Sequence, residues 1–324
     1  MQRQRTFLLV ICVIFTGFLC VNNEVKSSVN DVVKMVQSTQ KVGIKQMQVQ
    51  VNSLNEDRHD APVPQIYDNE VAIPRNQQNV VSVGLLQVVL PTKYEIERMS
   101  DEEAFRTYHS YLDNTDTICH RKLRMGNIGD GGWEICDYKQ YRPVKPCIVY
   151  SFGINNEFSF DDDTAKSYEC DVFSFDPSMM QTSYKRSNHV QFLKMGISGT
   201  DTDRGGWELH TLKTFKKMLN HTGKVIDVLK ADVEGSEWPS LPEMTSSGEL
   251  MHVKQLLLEY HGDCSDRRQC TSRLKTLKDI HDIGFRRFYV HKNPACKLIK
   301  SALFPVIRTR CYEVHYVNIN AVRP

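Results

Sequence analysis

Residues 225–238 read VIDVLKADVEGSEW, and this stretch decides the fold of the chain. The run at residues 225–229 is largely apolar and β-branched, and it leads into Asp232, Glu234 and Glu237. In open α/β sheets, ligands bind beyond the carboxyl ends of the strands. The stretch therefore predicts a buried strand that delivers acidic side chains to a catalytic or binding site.

Further strand patterns alternate with helical patterns along the chain. Strands are predicted at residues 148–152, 172–175, 190–195, 225–230, 253–259, 285–290 and 312–317. Helices are predicted at residues 100–113, 160–168, 209–219 and 274–283. This alternation predicts an α/β fold with a mostly parallel sheet and right-handed crossovers. Pro294 and Pro305 interrupt the last connection, so the final strand is predicted to be antiparallel.

Length and charge limit the classes of function. The chain has 324 residues, which fits one large domain with appendages. Lys and Arg number 41 against 39 Asp and Glu, a formal net charge of +2. A domain that binds nucleic acid usually carries a marked basic excess. The near balance of charge therefore argues against a nucleic-acid partner.

The N-terminus predicts entry into the secretory pathway. Arg3 and Arg5 precede the apolar run FLLVICVIFTGFLCV at residues 7–21. This run is shorter than a full membrane span, and its basic flank is typical of a signal sequence. Residues 1–21 are therefore predicted to be either a cleaved signal peptide or a type II signal anchor. Residues 22–92 are predicted to be a flexible stem, and residues 93–324 the globular domain.

The cysteines agree with an oxidising compartment, either the Golgi or ER lumen or the outside of the cell. Eight cysteines follow the apolar segment, and an even number in a secreted chain predicts disulfide bonds. Two pairs are predicted, Cys264 with Cys270 and Cys296 with Cys311. The chain has no CxxC pair, so a zinc site is disfavoured. Asn220 begins an N-x-T sequon and is predicted to be glycosylated.

The turn after the first strand of the predicted sheet points to a cofactor without phosphate. It contains only Gly153, whereas a dinucleotide fold needs G-x-G-x-x-G to close on a pyrophosphate. S-adenosylmethionine has a ribose and an adenine but no phosphate. Asp176 lies 23 residues after Gly153, at the end of the second strand, where a carboxylate can accept hydrogen bonds from ribose hydroxyls. The alternative for Asp176 is a turn-forming Asp-Pro.

Methyl transfer to a hydroxyl group requires alignment of the acceptor and removal of its proton. Candidate catalytic residues are Asp232, Glu234, Glu237 and His261, all at the ends of the fourth and fifth strands. His261 titrates near neutrality and can serve as the base, or it can be a structural histidine at a strand end. A divalent cation held by Asp232, Glu234 and Glu259 is a further alternative.

Six ordered segments carry a family resemblance: RMGNIGDGGWEIC, VYSFGINNEFSFD, SFDPSM, VLKADVEGSEWPSL, LLLEYHG and CYEVHYVN. In this order they resemble the methyltransferase-like 24 group, which is related to FkbM-type methyltransferases. The resemblance implies a class I methyltransferase fold, a Rossmann-like sheet of seven strands with an antiparallel terminal strand. It also implies S-adenosylmethionine as cofactor.

The same resemblance implies roles for individual positions. The cofactor loop corresponds to Phe152, Gly153 and Glu157, and the ribose acid to Asp176. The acidic block at the active edge corresponds to Asp232 and Glu234. The DGG turn that closes over the cofactor corresponds to Asp130, Gly131 and Gly132. The resemblance establishes no base, so Glu234, Glu237 and His261 all stay candidates.

The leading hypothesis is an S-adenosylmethionine-dependent O-methyltransferase that acts on a small-molecule or glycan hydroxyl in the secretory pathway. One alternative is a secreted, non-catalytic binding module on a methyltransferase scaffold, because fold does not determine activity. A second alternative is a lumenal glycosyltransferase, which needs a D-x-D metal motif. Residues 161–163 and 201–203 fit that pattern formally.

Overall fold

The computed structural model describes residues 90–262, 264, 266–300 and 307–321. These residues all belong to one of two compact units of the chain, Asn79–Pro324. The predicted signal segment and nearly all of the predicted stem lie outside the described residues. Within the described residues, no helix combines the length and the apolar character needed to span a bilayer.

Strands and helices alternate along the described residues. The helices are α1 (Lys93–Arg98), α2 (Asp101–Asp113), α3 (Ser159–Tyr168), α4 (Leu212–Met218), α5 (Glu237–Ser246) and α6 (Arg267–Ile283). The strands are β1 (Lys122–Met125), β2 (Trp133–Cys136), β3 (Ile148–Phe152), β4 (Asp171–Phe175), β5 (Tyr184–Lys185), β6 (Val190–Leu193), β7 (Gly196–Ile197), β8 (Thr202–Arg204), β9 (Trp207–His210), β10 (Ile226–Ala231), β11 (Val253–His261), β12 (Phe285–His291), β13 (Leu298–Lys300), β14 (Ile307–Thr309) and β15 (Cys311–Asn318). Single-turn 3₁₀ helices span Lys139–Tyr141 and Glu249–His252.

The central sheet has the strand order β12-β15-β11-β10-β3-β4-β6-β5. Strands β6, β4, β3, β10 and β11 pair in parallel, whereas β15 runs antiparallel to both β11 and β12. All seven predicted strands are present, and the antiparallel terminal strand is confirmed. The eighth strand, β5, has two residues and pairs antiparallel at the edge. A strand this short leaves no periodic pattern in a sequence.

Burial explains why the inner strands could be read from the sequence. All six residues of β10 are buried. Apolar clusters lie on both faces of the sheet, with Leu229 in one cluster and Val228 in the other. A strand covered on both faces reads as a nearly continuous apolar run, which is what residues 225–229 show. Parallel strands place their carboxyl ends together, so the acidic residues after β10 lie at the same edge as the turn after β3.

Two predicted helices have different bounds in the structure. Residues 209–219 were predicted to form one helix, but Leu209 and His210 belong to β9, and α4 starts after Thr211. Thr211 caps α4 by accepting a hydrogen bond from the N–H of Thr214, which separates the two elements. Helix α6 starts at Arg267, seven residues before the predicted position 274, because its first turns are polar and hide the apolar periodicity.

Four disulfide bonds connect the eight cysteines after the apolar N-terminal run: Cys119–Cys136, Cys147–Cys170, Cys264–Cys270 and Cys296–Cys311. Both predicted pairs are confirmed. The Cys147–Cys170 bond joins the residues immediately before β3 and β4, and so fixes the amino ends of two adjacent strands. The Cys296–Cys311 bond ties the segment after β12 to the start of β15.

Candidate functional site

A cavity of about 720 Å³ opens at the carboxyl edge of the central sheet. Its walls come from the turns after β3, β4, β10 and β11, with further residues from the β1–β2 turn, the β7–β9 region and the segment after β12. A volume of this size lies in the usual range for ligand pockets, about 300–1,000 Å³. The residues predicted for the site that line it are Asp130, Gly131, Gly153, Glu157, Asp176, Asp232, Glu234 and His261.

Gly153 allows the ends of β3 and β10 to approach each other closely. Its φ of 72° lies in the left-handed region, which favours glycine. A Cβ atom at this position would overlap the carbonyl oxygen of Asp232. The backbone N–H of Gly153 donates to the carbonyl of Phe175, the last residue of β4, at 2.8 Å. A single glycine therefore joins three strand ends at the floor of the cavity.

Asp176 is held in place by backbone and hydroxyl donors. Its Oδ2 accepts a hydrogen bond from the N–H of Asn155 at 2.8 Å. Its Oδ1 accepts from the N–H of Ser178 at 2.8 Å and from the Ser178 hydroxyl at 2.6 Å. The residue is 4 % exposed and lines the cavity, and Oδ2 keeps a lone pair for a ligand hydroxyl. This geometry suits the predicted ribose contact.

His261 stands among three carboxylates. Its Nδ1 is 3.0 Å from Oε1 of Glu237, while its Nε2 is 3.6 Å from Oδ1 of Asp232 and 3.5 Å from Oε2 of Glu234. The Glu237 side chain is fully buried, and its Oε1 also accepts from the N–H of Val233. Glu237 therefore orients the imidazole ring through Nδ1. The other nitrogen, Nε2, lies on the side of Asp232 and Glu234.

This arrangement shifts two pKa values. Burial opposes the charge on His261, but the hydrogen bond with Glu237 and the charges of Glu237, Glu259 and Asp232 outweigh it and raise the pKa of His261 to about 9. Burial and then the charge of Asp232 raise the pKa of Glu259 to about 8. Both shifts favour the protonated form, which is an imidazolium at His261 and a neutral carboxyl group at Glu259. A neutral carboxyl group can donate a hydrogen bond as well as accept one.

The β1–β2 turn covers the cavity and is anchored on both sides. Gly131 has a φ of 86°, and a Cβ atom there would overlap Oε2 of Glu157. Glu157 in turn accepts from the N–H and the hydroxyl of Ser159 at 2.9 and 2.5 Å, at the start of α3. Asp130 accepts from the amide of Asn293 at 3.2 Å. The predicted DGG turn thus connects the turn after β3 to the segment after β12.

Three predicted site residues lie behind the cavity wall. Phe152 is completely buried and stacks on Phe175, with ring centroids 4.4 Å apart. Gly132 supports the fold of the turn, because a Cβ atom there would overlap the carbonyl of Asn127. Glu237 contacts His261 but does not line the cavity. These residues shape the site without reaching its interior.

The cavity also contains residues that the sequence analysis did not single out. Lys230, one residue before the end of β10, lines the wall together with Trp133 and Asn293. Asn293 donates to Oε1 of Glu259 at 3.4 Å. Lys230 could have been identified from the sequence, since a lysine inside an apolar strand is unusual. Asn293 had none, because only the tertiary fold brings residue 293 next to residues 130 and 259.

A group that could hold a metal ion differs from the predicted one. The ligand atoms of Asp232, Glu234 and His261 lie within 4.8 Å of one another, so His261 takes the place that the sequence analysis gave to Glu259. Glu259 groups instead with His261 and Cys311, but Cys311 is in a disulfide bond. The D-x-D patterns do not form such a group among the described residues. Asp161 is buried against Ser174, and Asp201 accepts from the N–H of Thr211.

Comparisons with known proteins agree with this geometry. A family model described as a methyltransferase domain matches residues 89–308. The probable methyltransferase-like protein 24 of Homo sapiens is 25% identical over 241 residues, 67% of this chain and 65% of the human protein. The rat protein of the same name is 25% identical over 244 residues, 68% of this chain and 66% of its own length. The chain thus spans slightly less than two thirds of these relatives.

Among solved structures, the fold is similar to a fibrillarin pre-rRNA processing protein of Methanococcus jannaschii. The sequence identity is 9%, the TM-score is 0.33, and the match covers 62% of this chain and 84% of that protein. A superposition this loose carries no information about chemistry.

Proposed function

This chain belongs to the methyltransferase domain family, whose model covers residues 89–308, and from that premise we propose that it is an S-adenosylmethionine-dependent O-methyltransferase. The observation that carries the proposal is one cavity that combines the Gly153 turn, the Asp176 carboxylate and His261. The Gly153 turn lets backbone approach a ligand, Asp176 can accept from ribose hydroxyls, and His261 can accept a proton from an acceptor bound in the cavity.

The charges of the cavity fit this cofactor. The lining includes the acidic residues Asp130, Glu157, Asp161, Asp176, Asp232, Glu234 and Glu259, against the basic residues Lys230 and His261. With Glu259 protonated, the six other carboxylates still outnumber the two basic groups. S-adenosylmethionine carries a sulfonium, an ammonium and one carboxylate, which gives it a net positive charge. An excess of acidic side chains in a cleft favours a cation. When bound, the cofactor supplies an activated methyl group.

The protein's own part in the reaction is to position the acceptor and accept its proton. We assign the base to His261, because its Nε2 lies on the side of Asp232 and Glu234, whereas Glu237 is behind the ring. Glu237 is therefore a positioning residue. A cation placed in the cavity lowers the pKa of His261, because it disfavours a second positive charge nearby. Cofactor binding thus prepares His261 to accept a proton near neutral pH.

The proposed location is the secretory pathway, with a glycan hydroxyl as the acceptor. The four disulfide bonds are consistent with an oxidising compartment. Asn220 of the sequon is exposed, in a turn at a φ of 57°, which leaves it accessible for glycosylation. The N-terminal segment with Arg3 and Arg5 supports either a signal peptide or a membrane anchor. No nucleic-acid partner is proposed.

Labelled methyl transfer tests this function. The full chain, produced with its disulfide bonds formed, is incubated with S-adenosylmethionine labelled in the methyl group and with glycoproteins or free glycans. The proposal expects an ether-linked label on the glycans that is lost in His261→Asn. A chain that binds the cofactor but methylates no hydroxyl would contradict the acceptor class, and a chain that does not bind it would favour the non-catalytic binding module. Transfer from labelled nucleotide sugars instead would favour the glycosyltransferase.

A further inference from the structure

Lys230 is a buried cation in the wall of the cavity. It is 5 % exposed, and it is the only lysine or arginine among the described residues that line the cavity. Its ammonium group donates to the carbonyl of Gly153 at 2.8 Å and to the carbonyl of Phe152 at 3.2 Å. The ammonium also lies 5.3 Å from the ring centroid of Trp133. Lys230 therefore touches the turn at which the proposed cofactor binds.

Unlike Lys216 and Lys254, Lys230 makes no ion pair within 4.0 Å in the described part of the chain. Lys216, with a side chain 1% exposed, pairs with Glu249 at 2.5 Å. Lys254, with a side chain 14% exposed, pairs with Asp227 at 2.8 Å. The charge of Lys230 acts on Asp161 in the same wall, where burial raises the pKa of the carboxyl group and Lys230 opposes that rise, but the two groups form no ion pair within 4.0 Å. A buried ammonium without a direct ionic partner is costly, so this position favours an anion from outside the protein.

An ammonium group has three N–H donors, and the two carbonyls use two of them. The third has no oxygen partner among the described residues and is available to a ligand. We propose that Lys230 binds the carboxylate of the amino-acid end of S-adenosylmethionine. This inference rests on the function proposed above and deepens it by assigning a residue to the one anionic group of the cofactor.

The alternatives for that carboxylate are poor. His261 is the other basic side chain in the wall, but Asp232, Glu234 and Glu237 already surround it. The remaining ionisable lining residues are acids, which repel a carboxylate when charged. Lys230 also contacts Gly153, so an anion bound there lies beside the cofactor turn. Lys230 thus combines opposite charge, a free donor and the correct location.

Two ligands test the assignment: S-adenosylmethionine and its decarboxylated derivative, which lacks only the carboxylate. Calorimetry on the full chain is expected to give about ten- to a hundredfold tighter binding of S-adenosylmethionine, in line with hydrogen bonds to charged groups. In Lys230→Met this ratio is expected to fall to about one. The matched control, Lys254→Met, removes a partly buried lysine outside the cavity and should keep the wild-type ratio.

The outcomes separate the inference from the function. If the wild-type protein binds both ligands equally, or the decarboxylated one more tightly, the inference is overturned and the proposed function stands. The same conclusion follows if Lys230→Met keeps the wild-type ratio. If the wild-type protein binds neither ligand, the proposed function fails and the inference fails with it. If Lys230→Met does not fold, Lys230→Gln, which keeps a hydrogen-bond donor but removes the charge, takes its place, and an unchanged wild-type ratio in that variant overturns the inference.

Discussion

The two edges of the central sheet use their charged residues in opposite ways. At the amino edge, Asp227 accepts from Lys254 at 2.8 Å and from the N–H of Ile148 at 3.0 Å, so that one carboxylate connects β10, β11 and β3. At the carboxyl edge, no carboxylate of Asp176, Asp232 or Glu259 lies within 4.0 Å of a lysine or arginine of the described residues. The amino edge thus uses a carboxylate to connect three strands, whereas these three carboxylates of the carboxyl edge have no lysine or arginine partner in the described part of the chain, as the proposed ligand site requires.

The largest expected effect is on catalysis at the carboxyl edge. His261→Asn keeps a polar side chain at this position but removes the proposed base. The rate of methyl transfer should therefore fall about a hundred- to ten-thousandfold. Cofactor affinity should change little. Steady-state kinetics with labelled cofactor measures both. The matched control is His189→Asn at the amino edge, where the histidine pairs with Asp171 and is 39% exposed. Similar losses of methyl-transfer rate in both variants would contradict the different roles assigned to the two edges.

The next effect is on stability at the amino edge. Asp227→Ala leaves the Lys254 ammonium and the Ile148 N–H without their partner, so the free energy of unfolding should fall by about 3 kcal/mol. Denaturation in urea measures this change, and calorimetry should show unaltered cofactor affinity. Asp171→Ala is the control, because that side chain is 66% exposed and its loss should cost less than about 1 kcal/mol. A variant at Asp227 that is stable but binds the cofactor poorly would contradict the division between edges.

A smaller effect concerns pH. The native pKa values of His261, about 9, and of Glu259, about 8, lie above the ordinary values of 6.5 and 4.5. The folded state therefore holds more protons than the unfolded state, and stability should fall as pH rises from about 5 to 9. Melting temperatures across this range measure the decline for the protein without added cofactor. His261→Asn should make the decline shallower above pH 6.5, where only Glu259 still contributes, and an unchanged slope would count against the raised pKa of His261.

The sequence predicted which residues lie at the carboxyl edge of the sheet better than it predicted the contacts among them. Gly153, Asp176 and Asp232 each follow a buried strand and His261 is the last residue of β11, and the parallel arrangement brings these strand ends together. The sequence could not show which of Glu234 and Glu237 contacts Nδ1 of His261. Both residues follow the same strand, and they are only three positions apart. In the structure, Glu237 is the first residue of α5, and its buried side chain contacts Nδ1 of His261. Glu234 is 87% exposed and lies on the Nε2 side of the same ring.

Long-range pairs account for most of what the sequence could not predict. Cys119–Cys136 and Cys147–Cys170 depend on which strands are neighbours, whereas Cys264–Cys270 closes a short loop that is visible in the sequence. Likewise, Asn293 reaches Asp130 across the cavity without any local pattern. The predicted start of the helix at residues 209–219 was wrong. Leu209 and His210 belong to β9, which forms by pairing with β7 and β8, and these pairings are not visible in the local sequence.

The most direct test of the central claim is calorimetric binding of S-adenosylmethionine to two variants of the same strand. Asp176→Ala and Asp171→Ala remove one carboxylate each from opposite ends of β4. The account predicts that Asp176→Ala weakens binding about tenfold or more, as expected for a lost hydrogen bond to a charged group, and that Asp171→Ala matches the wild-type protein. Equal affinity of both variants, or no binding by the wild-type protein, would contradict it.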